Sequence, residues 1–198
     1  MNSFMKKNKH FHKKIHLTRN FTFDSTTGQT YNAVVISNYL YLNNMTNDRA
    51  DKRPAAVLLM GIPAAGKTTF YKQVLAGEGA VHINLDTLRT RHREMQLIHD
   101  CLSSRRSFVV DNTNTLPGER ARYISLAAQA GYRVVGYFLR SRVQECIPSN
   151  AGRDKQVPIA AITAMSARLI LPSLAEGFDE LFFVSRSVNG FDISPWKE

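Results

Sequence analysis

Cysteine and tryptophan are scarce in this 198-residue chain, which has two and one of them respectively. Two cysteines exclude a disulfide-stapled scaffold, and Cys101 and Cys146 lack metal-ligand spacing. No apolar run approaches the roughly 20 residues that a membrane helix needs, so a spanning helix is excluded. The start, "MNSFMKKNKHFHKKIHL", is basic but has no apolar stretch behind it, which argues against export and for a cytoplasmic protein. Acidic residues are also few, 16 against 26 Lys and Arg, and the net charge of +10 suits a polyanionic partner such as nucleic acid. Hydrophobic content of 43% with 21% charged residues is that of a folded soluble domain.

The charge is unevenly spread. Residues 1–44 hold five Lys and one Arg against the single acid Asp24, together with seven Asn and one Ala. Residues 45–198 reverse the preference to five Lys and fifteen Arg, and their 20 basic side chains face 15 acidic ones, so this part is only mildly basic. The shift near Met45 divides the chain into a basic N-terminal extension, 1–44, and one catalytic domain, 45–198. Two readings of the extension stay open: a genuine arm, or an upstream segment translated ahead of a start at Met45. Within it, "FTFDSTTGQTYNAVVISNYLYL" alternates as a β-hairpin with a turn around 25–28. His10, His12 and His16 could bind a metal, but a solvated basic tail is the favoured reading.

From Pro54 onward, apolar runs of strand length alternate with helical stretches. "AAVLLM", "AVHIN", "SFVVD", "YRVVGYFL" and "ELFFV" are apolar on both faces, which predicts a five-stranded parallel sheet covered by helices. The stretch "ERARYISLAAQAG" has helical spacing and ends in Gly. Directly after the first strand comes "GIPAAGKTT", which fits G-x-x-x-x-G-K-[ST] and leads into "FYKQVLAG". Gly61, Ile62, Pro63, Ala64, Ala65, Gly66, Lys67, Thr68 and Thr69 are therefore the candidate nucleotide-binding residues. Glycines let backbone N–H groups curl around phosphates, Lys67 reaches the outer phosphates, and the Thr68 hydroxyl suits Mg²⁺. ATP and Mg²⁺ are the expected cofactors.

The third strand ends in "FVVDNTN", which puts Asp111 at the carboxyl edge of the sheet, where ligands of open α/β sheets bind. Asp111 is a candidate Mg²⁺ partner; alternatively Asp111, Asn112 and Asn114 build a hydrogen-bonded turn. In "HINLDTLRTR", Asp86 is an adequate helix N-cap. It also follows a strand of the same sheet, so it opens onto the crevice that holds the phosphate loop.

"GIPAAGKTT", "INLDTLR", "VVDNTN", "CIPSNAGRDKQVP" and "PSLAEGFDEL" occur in the order and approximate spacing of the kinase module of polynucleotide kinases, which this chain resembles over about residues 54–186. Zeta-toxin-type sugar-nucleotide kinases and stand-alone bacterial P-loop kinases share parts of the pattern. The resemblance implies a P-loop kinase fold with a short helical lid. It implies that Asp86 accepts the proton of a 5′-hydroxyl, that Arg89 binds the neighbouring substrate phosphate, and that Lys67 and Arg153 act on the ATP phosphates.

The lid departs from the family pattern R-N-x-x-R. Residues 149–153 supply Arg153 as the second arginine, but Ser149 stands where the first is expected. Since an arginine on the transferring phosphoryl group can be worth roughly a thousandfold in rate, another cation has to compensate or transfer is slow. Arg140, Arg142 and Lys155 are the candidates. Arg89, Arg91 and Arg93 can line an acceptor groove or form an exposed basic face, and Arg105 and Arg106 fall at the opposite edge of the sheet. Nothing in these residues resembles the paired-aspartate motif of the phosphatase that accompanies the kinase in this family. The expected function is ATP-dependent transfer of the γ-phosphoryl group to a polynucleotide 5′-hydroxyl end. The alternatives are a nucleoside or sugar-nucleotide kinase, and a non-catalytic ATP-binding module working with a partner.

Overall fold

A computed structural model describes residues 51–198 and the strand residues 17–18, 21–23 and 30–32. The chain separates into two units, Met1–Asn47 and Asp48–Glu198. In the first, β1 (Leu17–Thr18), β2 (Phe21–Phe23) and β3 (Thr30–Asn32) make an antiparallel sheet, with Thr22 opposite Tyr31. The β2–β3 pairing is the hairpin that the alternation predicts. Its turn around 25–28, and the three histidines before it, lie outside the described residues.

The second unit is built on β4 (Ala55–Met60), β5 (Val81–Ile83), β6 (Phe108–Asp111), β7 (Arg133–Leu139), β8 (Glu180–Ser187) and β9 (Gly190–Pro195), in the spatial order β5-β6-β4-β7-β8-β9. All five strands expected from the apolar runs are present and parallel. The expected count of five is corrected to six, because β9 folds back antiparallel to β8. An edge strand needs little apolar sequence: Phe191 is the buried residue of β9, and Pro195 sits at its end, where a missing N–H costs no central ladder bond.

Side chains two apart on a strand share a face. Ala56, Leu58, Met60, Val110, Val134 and Phe138 therefore line one core, closed by α3 (Arg91–Ser103) through Ile98 and Cys101 and by α4 (Pro117–Gln129) through Tyr123, Ile124 and Ala127. On the opposite face Phe70 meets Tyr137 in a tilted contact and Phe191 edge-on, each at 5.2 Å between ring centroids. Phe70 ends α1 (Lys67–Phe70), which widens into a π turn over Tyr71–Leu75. A short α2 (Leu85–Leu88) follows β5, while α5 (Val143–Ala151) and α6 (Ile159–Arg168) follow β7 and pack on each other. Among the described residues no helix is long and apolar enough to cross a membrane. The carboxyl ends of β4, β5, β6 and β7 all open on the same edge, as parallel strands must.

Candidate active site

The chain leaves β4 through a loop whose backbone turns left-handed at Gly61 (φ 141°), Ala64 (φ 63°) and Gly66 (φ 104°). A Cβ on Gly61 would fall 2.9 Å from Ser141 Oγ and 3.0 Å from the Leu139 carbonyl, so only glycine fits against the end of β7. Ser141 Oγ also accepts the Ile62 N–H at 3.1 Å, which pins the loop to that strand. Lys67 folds back over the loop, its Nζ donating to the carbonyls of Gly61 (2.9 Å) and Ile62 (3.0 Å). Burial pulls its pKa from the usual 10.5 down to about 8, although the charges of Asp111 and Asp86 work in the other direction. Arg153 of the lid lowers it further. Three charged residues singled out from the sequence thus converge electrostatically on one ammonium group.

Asp111 is the hub beside it. The carboxylate is buried, and its Oδ2 accepts from Thr68 Oγ1 (2.7 Å), from Asn84 Nδ2 (3.0 Å) and from a His82 ring nitrogen that lies at 3.1 Å. Burial pushes this carboxyl up, but the hydrogen bonds from His82 and Thr68, the Lys67 charge and Asn84 together hold it below the usual carboxylate range. The ring of His82 is fixed by stacking on Tyr71 at 3.8 Å. The neighbouring asparagines tie the strand end to other elements rather than closing a local turn: Asn114 Nδ2 donates to the Leu59 carbonyl at 2.8 Å, and Asn112 Oδ1 accepts the Leu85 N–H at 3.1 Å.

The residue that caps α2 is Asn84, whose Oδ1 accepts the Thr87 N–H at 3.2 Å. Asp86 sits in the first turn beyond it, exposed, with no hydrogen bond to any described residue. Asn84, and not Asp86, is thus the cap, and the Asp86 carboxylate is left without a hydrogen bond among the described residues. Arg89 closes α2 at φ 67°, a left-handed conformation that is costly for a side chain with a Cβ. Its guanidinium is exposed and makes no ion pair among the described residues. Arg91 does not join it. Its Nη1 donates to Glu94 Oε2 (2.8 Å) and to the Tyr123 hydroxyl (2.7 Å), where the fully buried Glu94 also takes a 2.5 Å hydrogen bond from Asn112. That network locks the Asn112 side chain, and through Leu85 it locks the start of α2. Arg105 and Arg106 are exposed at the opposite end of the sheet, as expected; Arg105 reaches the Ala130 carbonyl and the Tyr132 ring.

In the lid, Asn150 is buried and clasps Val157 twice, Nδ2 donating to its carbonyl (2.8 Å) and Oδ1 accepting its N–H (3.0 Å). This clasp closes the loop that carries Arg153, whose own N–H donates to the Asn150 carbonyl at 3.1 Å. Arg140 is committed to Glu145 at 3.0 Å, and Arg142 reaches the same carboxylate at 3.8 Å. Arg140 nevertheless lines a small cavity against Ala64 and Ala65 of the phosphate loop, together with Arg186 of β8. Of these, Arg186 hydrogen-bonds the loop itself, donating to the Ala64 carbonyl at 2.7 Å and to Ser149 Oγ at 2.6 Å.

The "E-G-F-D" stretch is structural. Glu176 receives the buried Arg120 in two 2.6 Å hydrogen bonds, and Asp179 accepts the Val134 N–H at 2.7 Å, so together they seat β8 beside β7. Glu94 and Arg186 carry no recognisable motif, whereas Asn84 and Asn150 fall inside "INLDTLR" and the lid pattern, which name the residues but not the cap and the clasp that they form.

A phosphate-type loop between a buried strand and a helix, on a parallel sheet with a lid, defines a P-loop kinase fold. The model of a family described as an AAA domain matches residues 57–172, more than half of the chain, and the chain belongs to that family. It is 26% identical over 149 residues to a bifunctional polynucleotide phosphatase/kinase of Schizosaccharomyces pombe, covering 71% of this chain and 36% of that protein. A putative bifunctional polynucleotide phosphatase/kinase of Acanthamoeba polyphaga mimivirus is 26% identical over 158 residues, 74% of this chain and 37% of its own. The chain spans just over a third of the length of these relatives. Among solved structures, a putative kinase of Chloroflexus aurantiacus superposes with a TM-score of 0.53 at 18% identity, covering 69% of this chain and 90% of its own. A Sinorhizobium meliloti gluconokinase superposes at 0.51 with 16% identity, over 68% of this chain and 84% of its own.

Proposed function

We propose that the domain is an ATP-dependent kinase that transfers the γ-phosphoryl group to a hydroxyl, with polynucleotide 5′-hydroxyl ends as the acceptor. The observation that carries this reading is Asp86: a carboxylate relieved of capping by Asn84, without a hydrogen bond among the described residues, and with its charge reaching Lys67. Such a carboxylate can take the proton of a bound hydroxyl as its oxygen attacks phosphorus. The names of the two curated relatives and the mildly basic 45–198 segment support the polynucleotide acceptor over a small molecule.

In this scheme the N–H groups of loop 61–69 and Lys67 hold the donor phosphates, and Arg153 closes over the γ-phosphoryl group. Asp86 takes the hydroxyl proton as the acceptor oxygen bonds to phosphorus and the bond to the β-phosphate oxygen breaks, its electron pair leaving with ADP. Arg89 holds the acceptor phosphate. Thr68 Oγ1 and Asp111, hard oxygen donors 2.7 Å apart, suit Mg²⁺, which keeps most of its shell as water and phosphate oxygen. Bound there, the ion neutralises charge on the outer phosphates. The two unpaired, buried cysteines suit the cytoplasm.

Incubation with γ-labelled ATP and short 5′-hydroxyl DNA and RNA tests the proposal. Label on the oligonucleotide is the expected result. Label on nucleosides or sugar nucleotides alone would make the domain a small-molecule kinase, and release of free phosphate alone would make it an ATPase.

A further inference from the structure

Arg186 lies on the outward part of β8, opposite Phe191 of β9, so the terminal hairpin sets its position. Its guanidinium rests on the phosphate loop: a Cβ placed on Gly66 would come within 2.9 Å of both Nε and Nη2. Nη2 donates to Ala64, a non-glycine residue held in the left-handed region that turns its carbonyl to that contact, and Nη1 donates to Ser149. Both acceptors are neutral. Arg120, Arg133 and Arg140 each face a carboxylate, whereas Arg186 makes no ion pair among the described residues. A guanidinium has five N–H donors. Two are spent here, and the rest, with an uncompensated charge, lie at the rim of a loop shaped for anions.

We infer that Arg186 is a nucleotide-binding residue that grips the phosphate chain of the donor and, through Ser149, ties the lid helix α5 to the phosphate loop. A cation thus reaches the loop from the edge hairpin, at the point where the lid itself offers only a hydroxyl. Serine at 149 is what makes room for it. Its 2.6 Å contact needs a short side chain, and an arginine there would occupy the same place with the same charge. The inference rests on the loop being a donor-nucleotide site and is independent of the acceptor.

The test compares wild type, Arg186→Ala, and the exchange Ser149→Arg with Arg186→Ser in the full chain. ATP and adenosine affinities are measured by calorimetry without acceptor, and melting temperature monitors folding. Arg186 is exposed, so Arg186→Ala should melt within about 2 °C of wild type. Its affinity for ATP should fall about tenfold or more, the scale of one charged hydrogen-bonding group, while adenosine affinity stays within about twofold. The exchange variant should regain most of the loss. Where transfer is measurable, KM for ATP should rise in Arg186→Ala. ATP affinity unchanged in Arg186→Ala, an equal loss for adenosine, or an exchange variant that regains nothing each overturns the inference. Failure of the wild type to phosphorylate any acceptor would sink the kinase proposal and leave these affinity comparisons intact.

Discussion

Lys67 holds a proton less firmly than any exposed lysine, and nucleotide binding should make that visible. In the free protein burial brings its pKa to about 8 from 10.5. Phosphates seated against Nζ would supply the counter-charge that burial withholds and return the group toward its ordinary value. At pH 8 about half of the free sites lack the proton and nearly all bound sites carry it, so binding should take up about 0.5 proton; at pH 9 the figure is about 0.9, and at pH 6.5 close to zero. ATP itself adds little at the upper two values, because a terminal phosphate with a pKa of about 6 is already ionised there. Calorimetric titration of ATP in two buffers of different ionisation enthalpy reads the proton count directly. Lys67→Met should abolish the uptake. The sign for stability follows from the same shift. Between pH 8 and 10.5 the unfolded chain binds more protons at Lys67 than the folded one, so stability from this group rises with pH through that window. At pH 7 the charged Lys67 costs up to about 3 kcal/mol, and Lys67→Met should stabilise the nucleotide-free protein by about 1–3 kcal/mol once its two hydrogen bonds are discounted. Uptake that is absent at pH 8–9, or proton release there, would refute the account of Lys67 as a buried cation waiting for an anion.

Asp86→Asn should lower phosphoryl transfer by about a hundredfold to ten-thousandfold with ATP affinity within about twofold of wild type, measured by single-turnover transfer and calorimetry. Arg89→Gly relieves a left-handed side-chain conformation, so urea unfolding should show stability unchanged or raised by up to about 1 kcal/mol, while KM for the acceptor rises. Asn150→Ala removes the double clasp on Val157. It should cost about 1–3 kcal/mol in urea unfolding and depress kcat more than ATP affinity, because the loop bearing Arg153 loses its closure. Glu94→Gln leaves the shape of the buried network but removes its charge; the expected result is a loss of about 1–3 kcal/mol with Asp86 chemistry slowed, read as unfolding midpoint and transfer rate.

Much of the architecture was legible in the sequence because parallel strands buried on both faces must be written in apolar residues. β4, β6, β7 and β8 declare themselves in that way, and "GIPAAGKTT" between β4 and α1 places the site on the sheet edge. β9 was invisible to that test, since an edge strand packs one residue and leaves the others wet; the Asn189-Gly190 pair was its one local signal. The sequence leaves the cap of α2 open, because Asn84 and Asp86 are both good caps and lie two residues apart. What separates them is the position of Asp111, which draws Asn84 Nδ2 by 3.0 Å and so orients its oxygen to the helix. Nothing local to "NLDTLR" encodes that choice.

The lid makes the same point over a longer distance. Counting residues from the missing arginine at Ser149 leads to Arg140, Arg142 and Lys155, neighbours along the chain. Yet Glu145, one turn ahead of Ser149 on the same helix, ion-pairs with the first two at 3.0 and 3.8 Å, and neither hydrogen-bonds Ser149 or the loop among the described residues. The guanidinium that meets Ser149 comes from a strand 37 residues further on. It arrives there because Glu176 and Asp179 seat β8 beside β7, and because the β8–β9 hairpin presents position 186 at the loop side. A structural motif, "E-G-F-D", therefore sets where a functional cation stands. A change in that motif should act on nucleotide binding as well as on stability: Asp179→Ala, which frees the Val134 N–H and loosens the seat of β8, should weaken ATP binding in the wild type but lose that effect in the Arg186→Ala background. Equal weakening in both backgrounds would mean that β8 supports the loop without Arg186.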